Sequence, residues 1–315
     1  MIEQFKELLE KHSKVTILTH RNADADTLGT ALGIYELLKN EGKHVEVCNP
    51  DKNLPIHLDF LPHFARIKNQ MNFDKGLVIS CDAGSIDLLE FDVSSRDIIN
   101  IDHHESNNNF GILNIVDVLA VSSSQVAYGF LKNTFTITKN SATCFYVGMV
   151  TDTQNFTTLN VTDKTFEVAS KLLSFGVDLA KVNRNLTQRK SLASLRILAS
   201  ALDTLELCED AQLSSMVVTK ESMLAAGANT LDLLGIIDHG ISLATVRIAL
   251  IVMVFEDKLK VSIRSDAVDV SKLAIHFGGG GHKLAAGFSV EIQDVNMLLE
   301  QIKKEIKKRG LLDEL

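Results

Sequence analysis

A strand-to-helix passage, "HRNADADTLGT" at residues 20–30, carries two aspartates one residue apart. It follows the apolar run "VTIL", which predicts a buried strand, and it leads into a helical pattern from about Thr27 to Asn40. At such a junction Asp24 or Asp26 alone would usually cap the helix. Two carboxylates at one strand end can also hold metal ions. The residues at the other strand ends decide between helix capping and metal binding.

Length and composition predict a two-domain protein that acts on small ligands. The chain has 315 residues, of which 45% are hydrophobic, more than one typical domain requires. Its net charge of −8 repels polyanions, so we expect no binding to long nucleic acid. No apolar run approaches the length of a membrane span, and the amino terminus lacks the apolar core of a signal peptide, so we expect no membrane association and a cytoplasmic location. The four cysteines are scattered, which favours reduced structural thiols over a zinc site.

The order of predicted elements indicates an α/β fold. In the first half, short β-rich runs alternate with helical patterns, which predicts a wound, largely parallel sheet. Residues 1–180 form this first domain. A helical pattern from about Asp178 to Leu207 contains neither Pro nor Gly, and residues 181–208 are interpreted as a helical connector. Residues 209–315 form a smaller second α/β domain, and we expect the active site in a cleft between the domains.

Carboxylates or imidazoles follow each main strand of the first half, and one more carboxylate ends a helical run. Open α/β sheets bind ligands outside the carboxyl ends of their strands. The side chains expected there are His20, Asp24, Asp26, Asp82, Asp102, His103, His104 and Asp152. Each residue alone has an ordinary structural explanation, such as a cap, a turn or a packed pair. Together they form a donor set suited to a transition ion such as Mn²⁺, with two ions held by shared carboxylates.

Five ordered motifs resemble those of a known family. "HRNADADTLGT", "VISCDAGS", "NIDHHES" and "GMVTDTQNF", followed by "FGGGGHKLAAGF", are similar to the motifs of the DHH phosphoesterases with a DHHA1 carboxyl-terminal domain. Within that family the layout most resembles the NrnA-like group, which cleaves very short oligonucleotides and 3′-phosphoadenosine 5′-phosphate (pAp). The chain departs from the common pattern at Ala23 and Thr30 and in "TQNF" after Asp152, and the last of these leaves substrate details open.

The resemblance implies a role for each motif residue. One metal would be held by His20, Asp24 and Asp82. A second would be held by a set that shares Asp82, namely Asp26, Asp82, His103 and Asp152. His104 would face the scissile phosphate and Asp102 would orient the imidazoles, and which histidine of the pair is the ligand stays open. The expected cofactor is two Mn²⁺ ions, with Mg²⁺ as the alternative.

The glycine run in the second half does not fit a P-loop, because His282 precedes Lys283 and no Ser or Thr follows. The resemblance implies that such a run in a DHHA1 domain binds the part of the nucleotide that is not cleaved. The residues assigned to this role are Arg264, Gly278, Gly279, Gly280, Gly281 and His282. The alternatives are a flexible turn for the glycines and a pair with Asp266 for Arg264. "IIDHG", around Asp238, is interpreted as a helix-ending turn.

The leading hypothesis is a two-metal hydrolase that cleaves phosphoester bonds of short oligoribonucleotides, of pAp, or of both. Its substrates would be its main partners, and the sequence admits a homodimer. A cyclic di-AMP or pApA phosphodiesterase is the nearest alternative. An inorganic pyrophosphatase or exopolyphosphatase, a RecJ-like single-strand exonuclease and a non-catalytic nucleotide-binding module are the others. The glycine run argues against the pyrophosphatase, and the lack of a basic groove with interleaved aromatics argues against the exonuclease.

Overall fold

The computed structural model describes residues 1–312, and they divide between Arg189 and Lys190 into two units. Both units are α/β, as the sequence predicts. Among the helices of the described residues, none is both long enough and apolar enough to cross a membrane.

A six-stranded, fully parallel sheet forms the centre of the first unit. Its strands are β1 Lys14–Thr19, β2 His44–Cys48, β3 Ile67–Lys68, β4 Leu77–Cys81, β5 Ile98–Asp102 and β6 Leu113–Val116. The spatial order is β3-β2-β1-β4-β5-β6, so the winding direction reverses between β1 and β4. Such a reversal opens a crevice at the carboxyl ends of the two central strands. The strands that carry the aspartate pair and Asp82 therefore flank the position where this fold binds ligands.

The helices of the first unit pack mainly on one face of its sheet. They are α1 Ile2–Lys11, α2 Ala25–Asn40, α3 Ser123–Leu131, α4 Lys139–Asp152, α5 Asp163–Leu173 and α6 Leu179–Asn183. Apolar side chains of these helices form the main core with alternate residues of β1 and β4, including Ile17 and Ile79. The other face of the sheet holds a smaller cluster, in which Leu89 and Val93 cover Val78. The central strands are thus buried on both faces, which explains their continuous apolar sequence.

The expected continuous connector helix is wrong, because the structure interrupts it. After α6 the chain forms a π-helix over Arg184–Gln188, and Arg189 is extended. A new helix, α7 at Leu192–Asp203, then begins with Ser191 as its cap, whose hydroxyl accepts a 2.8 Å bond from the Ser194 N–H. A serine that caps a helix stabilises a break without help from Pro or Gly. The guanidinium of Arg189 also binds both oxygens of Asp59, which ties the end of the first unit to its own body.

A mixed six-stranded sheet forms the second unit. Its strands are β7 Glu206–Cys208, β8 Leu213–Val218, β9 Ile248–Val254, β10 Lys258–Ser265, β11 Gly280–His282 and β12 Ala285–Glu291. The spatial order is β11-β12-β10-β9-β8-β7, and only β8 and β9 pair in parallel. Besides α7, its helices are α8 Lys220–Ala226, α9 Ile236–Ile241, α10 Ser271–His276 and α11 Val295–Lys308. Asp238 lies inside α9, so the expected helix-ending turn at "IIDHG" is wrong.

Candidate metal centre

Acidic and imidazole side chains converge where the first sheet reverses its winding. Three groups have ligand atoms that all lie within 4.8 Å of one another. The groups are His20 with Asp24 and Asp82, Asp26 with His103 and Asp152, and Asp82 with His103 and His104. Asp82 belongs to two of them. The structure therefore brings together all eight side chains singled out at the element ends. Seven of them belong to these groups, and the eighth, Asp102, binds His104.

Asp24 combines the two roles that the sequence left as alternatives. It is the N-cap of α2, and its Oδ1 accepts hydrogen bonds of 3.0 Å from the N–H groups of Asp26 and Thr27. Capping engages one carboxylate oxygen and fixes the orientation of the side chain. The other oxygen remains for a cation beside His20 and Asp82.

Asp26 is buried and is held by the start of α3. Its Oδ2 accepts a 2.7 Å bond from the Ser123 N–H, and its Oδ1 accepts a 3.0 Å bond from the Ser124 N–H. These amides belong to the first turn of α3, where backbone N–H groups lack partners within the helix and favour an anion. The side chain of Asp26 is thereby fixed before any ligand arrives.

Asp82 occupies a strained position directly after β4. Its φ of +60° lies in the left-handed region, which is uncommon for a residue other than glycine. The Ser123 hydroxyl donates a 2.8 Å bond to Oδ1, while Oδ2 lies 3.4 Å from Nε2 of His20. The strain and the bond together direct the carboxylate toward the centre of the cluster.

The two adjacent histidines have different surroundings. His103 has Nδ1 near the carbonyl of Ala120 at 3.4 Å, while its Nε2 lies 3.4 Å from Oδ2 of Asp152. His104 instead has Nδ1 bonded to Oδ1 of Asp102 at 2.7 Å. A bond at one ring nitrogen sets which nitrogen remains for a ligand. His103 is therefore better placed as the ligand, with His104 turned toward the opening, where nearly half of its side chain is exposed.

The electrostatics of the cluster favour a bound cation. Burial and the neighbouring carboxylates raise the pKa of Asp26 and raise that of Asp82 well above its ordinary value. The same causes raise the pKa of Asp152 to about 8. The bond to Asp102 raises the pKa of His104 to about 9. Carboxylates forced together in this way are relieved by a divalent ion, and mixed carboxylate and imidazole donors suit Mn²⁺ or a similar metal, so the residues present fit the expected cofactor.

A cleft of about 350 Å³ opens in front of these side chains. The cluster lines one part of it, and Gly84, Ser85, Leu88 and Ser106 line the rest. Among the described residues that line it, none is Lys or Arg. The volume is at the lower end for small-molecule sites, which suits a ligand the size of part of a nucleotide.

In the second unit, Arg264 and His282 lie on one face of the sheet. Arg264 pairs with Ala285 across β10 and β12, and His282 pairs with the same Ala285 across β11 and β12. Directly paired residues point to the same side of a sheet. The next row on this face is Ser262, Gly287 and Gly280, so small residues form a floor beside the two basic side chains.

The alternative prediction that Arg264 pairs with Asp266 is wrong. Asp266 lies 3.4 Å from Nε of Arg247 instead, and Arg264 has Oδ1 of Asp238 at 4.0 Å. That separation is at the limit of an ion pair, and both side chains are substantially exposed. The guanidinium of Arg264 is therefore open to an anionic ligand.

The glycine run is an ordered hairpin edge and not a flexible turn. Gly278 follows the end of α10 and has a φ of +80°, and Gly280 and Gly281 are the first two residues of β11. A Cβ at Gly279 would lie 2.2 Å from the carbonyl oxygen of Gly287, so this position requires glycine for packing. A Cβ at Gly280 would meet nothing within 4 Å, although its backbone lies on the face of Arg264. Packing therefore explains why some of these positions are glycine, but it does not explain the glycine at position 280.

Sequence reasoning missed the residues that position the acidic cluster. Ser123 is fully buried and contacts both Asp26 and Asp82. Gly148 in α4 is equally important, because a Cβ there would lie 2.6 Å from Oδ1 of Asp26. The one available signal was "SSS" at 122–124, which is typical of a helix start.

Comparisons with known proteins find matches to both units of the chain. Residues 14–149 match the DHH family, N-terminal domain, and residues 214–308 match the DHHA1 domain. A bifunctional oligoribonuclease and PAP phosphatase NrnA of Thermus thermophilus is 29% identical over 309 residues, covering 95% of this chain and 92% of that protein. The crystal structure of an exopolyphosphatase-related protein from Bacteroides fragilis has a TM-score of 0.88 and 25% identity, covering 98% of this chain and 96% of the other.

A more distant structure shares the fold alone. RecJ from Thermus thermophilus, solved in complex with Mn²⁺, has a TM-score of 0.57 and 16% identity. The match covers 98% of this chain and 54% of RecJ, so RecJ contains a large additional part with no counterpart in the matched region.

Proposed function

Because the chain is a phosphoesterase of the DHH family with a DHHA1 domain, we propose that it hydrolyses phosphoester bonds of short oligoribonucleotides, of pAp, or of both, with the help of two divalent metal ions, preferably Mn²⁺. The observation that carries this proposal is the shared position of Asp82 between two groups of donors. One group contains His20 and Asp24, and the other contains His103 and His104. His103 also belongs to a group with Asp26 and Asp152. A carboxylate between two such groups is the usual arrangement for paired metals.

The proposed ligands divide into two sets. His20, Asp24 and Asp82 would hold one ion. Asp26, His103 and Asp152 would hold the other together with Asp82, whose Oδ1 lies 3.7 Å from Nε2 of His103. When bound, such a pair of ions supplies an activated water and stabilises charge that develops on the phosphoryl group.

The remaining groups of the site would orient the substrate. Nδ1 of His104 donates to Asp102, and this bond raises the pKa of His104 to about 9, so the protonated ring would also donate from Nε2 to a phosphoryl oxygen. Asn107 in turn donates to the other oxygen of Asp102 and fixes that carboxylate. His104 and Asp102 thus act as a unit that presents one donor in a constant direction.

In the second unit, Arg264 and His282 would bind the part of the nucleotide that is not cleaved. Arginine binds a phosphate with two parallel N–H groups, and the carboxylate of Asp238 lies only at the 4.0 Å limit of an ion pair with this guanidinium. The backbone of the run from Gly278 to Gly281 would complete this site, with Gly280 open to a ligand.

A turnover assay on four substrates tests the proposal. Purified protein with Mn²⁺ is given pAp, a ribodinucleotide, a ribo-oligonucleotide of twenty residues and cyclic di-AMP in parallel. We expect rapid hydrolysis of the dinucleotide or of pAp, and none after chelation of the metal. Faster turnover of cyclic di-AMP, or equal turnover of a dinucleotide and a twenty-residue strand, would contradict the proposal.

A further inference from the structure

One wall of the cleft carries no charge and takes no part in the proposed metal centre. It consists of Gly84, Ser85, Leu88 and Ser106. The Ser85 hydroxyl does not cap the short helix that follows it. Ser106 is exposed, and its Oγ would lie 3.5 Å from a Cβ placed on Gly84, so the two loops face each other. Within residues 1–312 neither hydroxyl bonds to another protein group.

Backbone and amide hydrogen bonds hold this wall in place. The N–H of Asn108 donates to the carbonyl of Gly84 at 3.0 Å, and Nδ2 of Asn107 donates to the carbonyl of Ala83 at 3.3 Å. On the other side, the Arg21 N–H donates to the carbonyl of Leu88 at 2.9 Å. The loops after β1, β4 and β5 are therefore joined, and both hydroxyls are presented by backbone that needs little ordering on binding.

The chemistry of the wall suits a sugar better than a second phosphate. A hydroxyl both donates and accepts hydrogen bonds, as the hydroxyls of ribose do. The nearby charged residues along the chain are largely acidic, namely Asp87, Glu90 and Glu105, and Arg21 is already paired with Glu90 at 2.8 Å. The cleft of about 350 Å³ holds roughly a dozen water volumes, which leaves room beyond one phosphoryl group.

We propose that Ser85 and Ser106 form a sugar subsite that hydrogen-bonds to the 2′-hydroxyl of the ribose attached to the scissile phosphate, with Leu88 against the carbon face of that sugar. The subsite selects ribonucleotides over deoxyribonucleotides, because a 2′-hydroxyl is the group that distinguishes them. This inference rests on the proposed function, since it requires a nucleotide whose phosphate lies at the metal centre.

The test compares a ribodinucleotide with its 2′-deoxy counterpart of the same bases, on full-length protein with saturating Mn²⁺. For the wild type we expect kcat/KM to favour the ribodinucleotide by about tenfold, as one or two neutral hydrogen bonds provide. In the double variant Ser85→Ala/Ser106→Ala the ratio of the two kcat/KM values should fall to about one, because kcat/KM drops more on the ribodinucleotide than on its deoxy counterpart. Ser95→Ala, at an exposed serine before β5 and so at the opposite end of that strand, is the control and should keep the wild-type preference.

Each other outcome overturns the inference in a recognisable way. If the wild type shows no preference for the ribodinucleotide, or if the double variant keeps that preference, the proposed subsite is ruled out and the metal-dependent hydrolysis is unaffected. Equal losses on both substrates in the double variant would mean that the serines support the loops and not the sugar. If the wild type hydrolyses neither dinucleotide nor pAp, the proposed function itself fails and the subsite fails with it.

Discussion

The hydroxyl of Ser123 donates a 2.8 Å hydrogen bond to Oδ1 of Asp82. The backbone N–H of the same serine donates to Asp26 at 2.7 Å, so one buried residue positions two proposed ligands from different strand ends. Groups that orient metal ligands commonly affect affinity nearly as strongly as the ligands themselves. The first turn of α3 is therefore part of the proposed metal centre, although it supplies no ligand.

Ser123→Ala should weaken Mn²⁺ binding about tenfold to hundredfold, because the Asp82 carboxylate loses the bond that fixes its direction. The apparent dissociation constant from Mn²⁺ titration of activity checks this. Ser122→Ala is the matched control, since the Ser122 hydroxyl caps α3 by accepting from the Gln125 N–H. It should cost about 1 kcal/mol of stability and leave Mn²⁺ affinity unchanged. Equal loss of affinity in both variants would assign Ser123 a purely structural role.

Gly148→Ala should destabilise the fold by about 1–3 kcal/mol and impair turnover, because the new Cβ would lie 2.0 Å from the Ser124 hydroxyl oxygen and 2.6 Å from Asp26. Gly129→Ala in α3 is the matched control, as a Cβ there meets nothing within 4 Å. That exposed helical position should gain about 0.5–1 kcal/mol. Chemical denaturation of both variants measures the difference. A stable and fully active Gly148→Ala protein would contradict the close packing of α4 against Asp26.

Glu36→Gln should lower stability near neutral pH and flatten its dependence on acid. Burial alone would raise the pKa of Glu36, but bonds from His63 and Thr138 outweigh it and hold this pKa below its ordinary value. A carboxyl with a lowered folded pKa contributes stability above its unfolded pKa of about 4.3, and that contribution is lost as pH falls through the folded pKa. Denaturation of both proteins from pH 7 to pH 3 measures this. The wild type should lose more stability below about pH 4.5, and parallel curves would contradict the assignment.

Arg264→Ala should reduce kcat/KM on nucleotides about tenfold to hundredfold, since a charge-assisted bond contributes about 1.5–3 kcal/mol. Hydrolysis of bis-p-nitrophenyl phosphate should change much less, because that ester has no group to place beside the arginine. Lys260→Ala removes a positive charge four residues earlier on the same strand and serves as the control. A similar loss in both variants would indicate general charge attraction, and equal loss on both substrates would place Arg264 in support of the fold.

The side chains at the strand ends were predictable because each of them belongs to a short local pattern in the sequence. An apolar run followed by Asp or His occurs after β1, β4 and β5, and Asp152 ends α4, so the convergence of these side chains followed from the rule for wound sheets. The α/β class and the parallel first sheet are confirmed for the same reason.

What could not be predicted depends on tertiary contacts. Ser123 is one serine among three in "SSS", and nothing local shows that it reaches two aspartates from distant segments. At the break, Arg189 binds Asp59, which is 130 residues away in sequence. The pairing of Asp266 with Arg247 likewise depends on strand register. Residues that position a site therefore leave a weaker local signal than residues that form it.

The number of Mn²⁺ ions bound per chain tests the central claim most directly. Equilibrium dialysis followed by elemental analysis should find two ions in the wild type and about one in Asp24→Asn, because that change removes a ligand from only one of the two donor groups. A wild type that binds a single ion at saturation, or an Asp24→Asn variant that still binds two with unchanged affinity, would contradict the paired-metal centre built around Asp82.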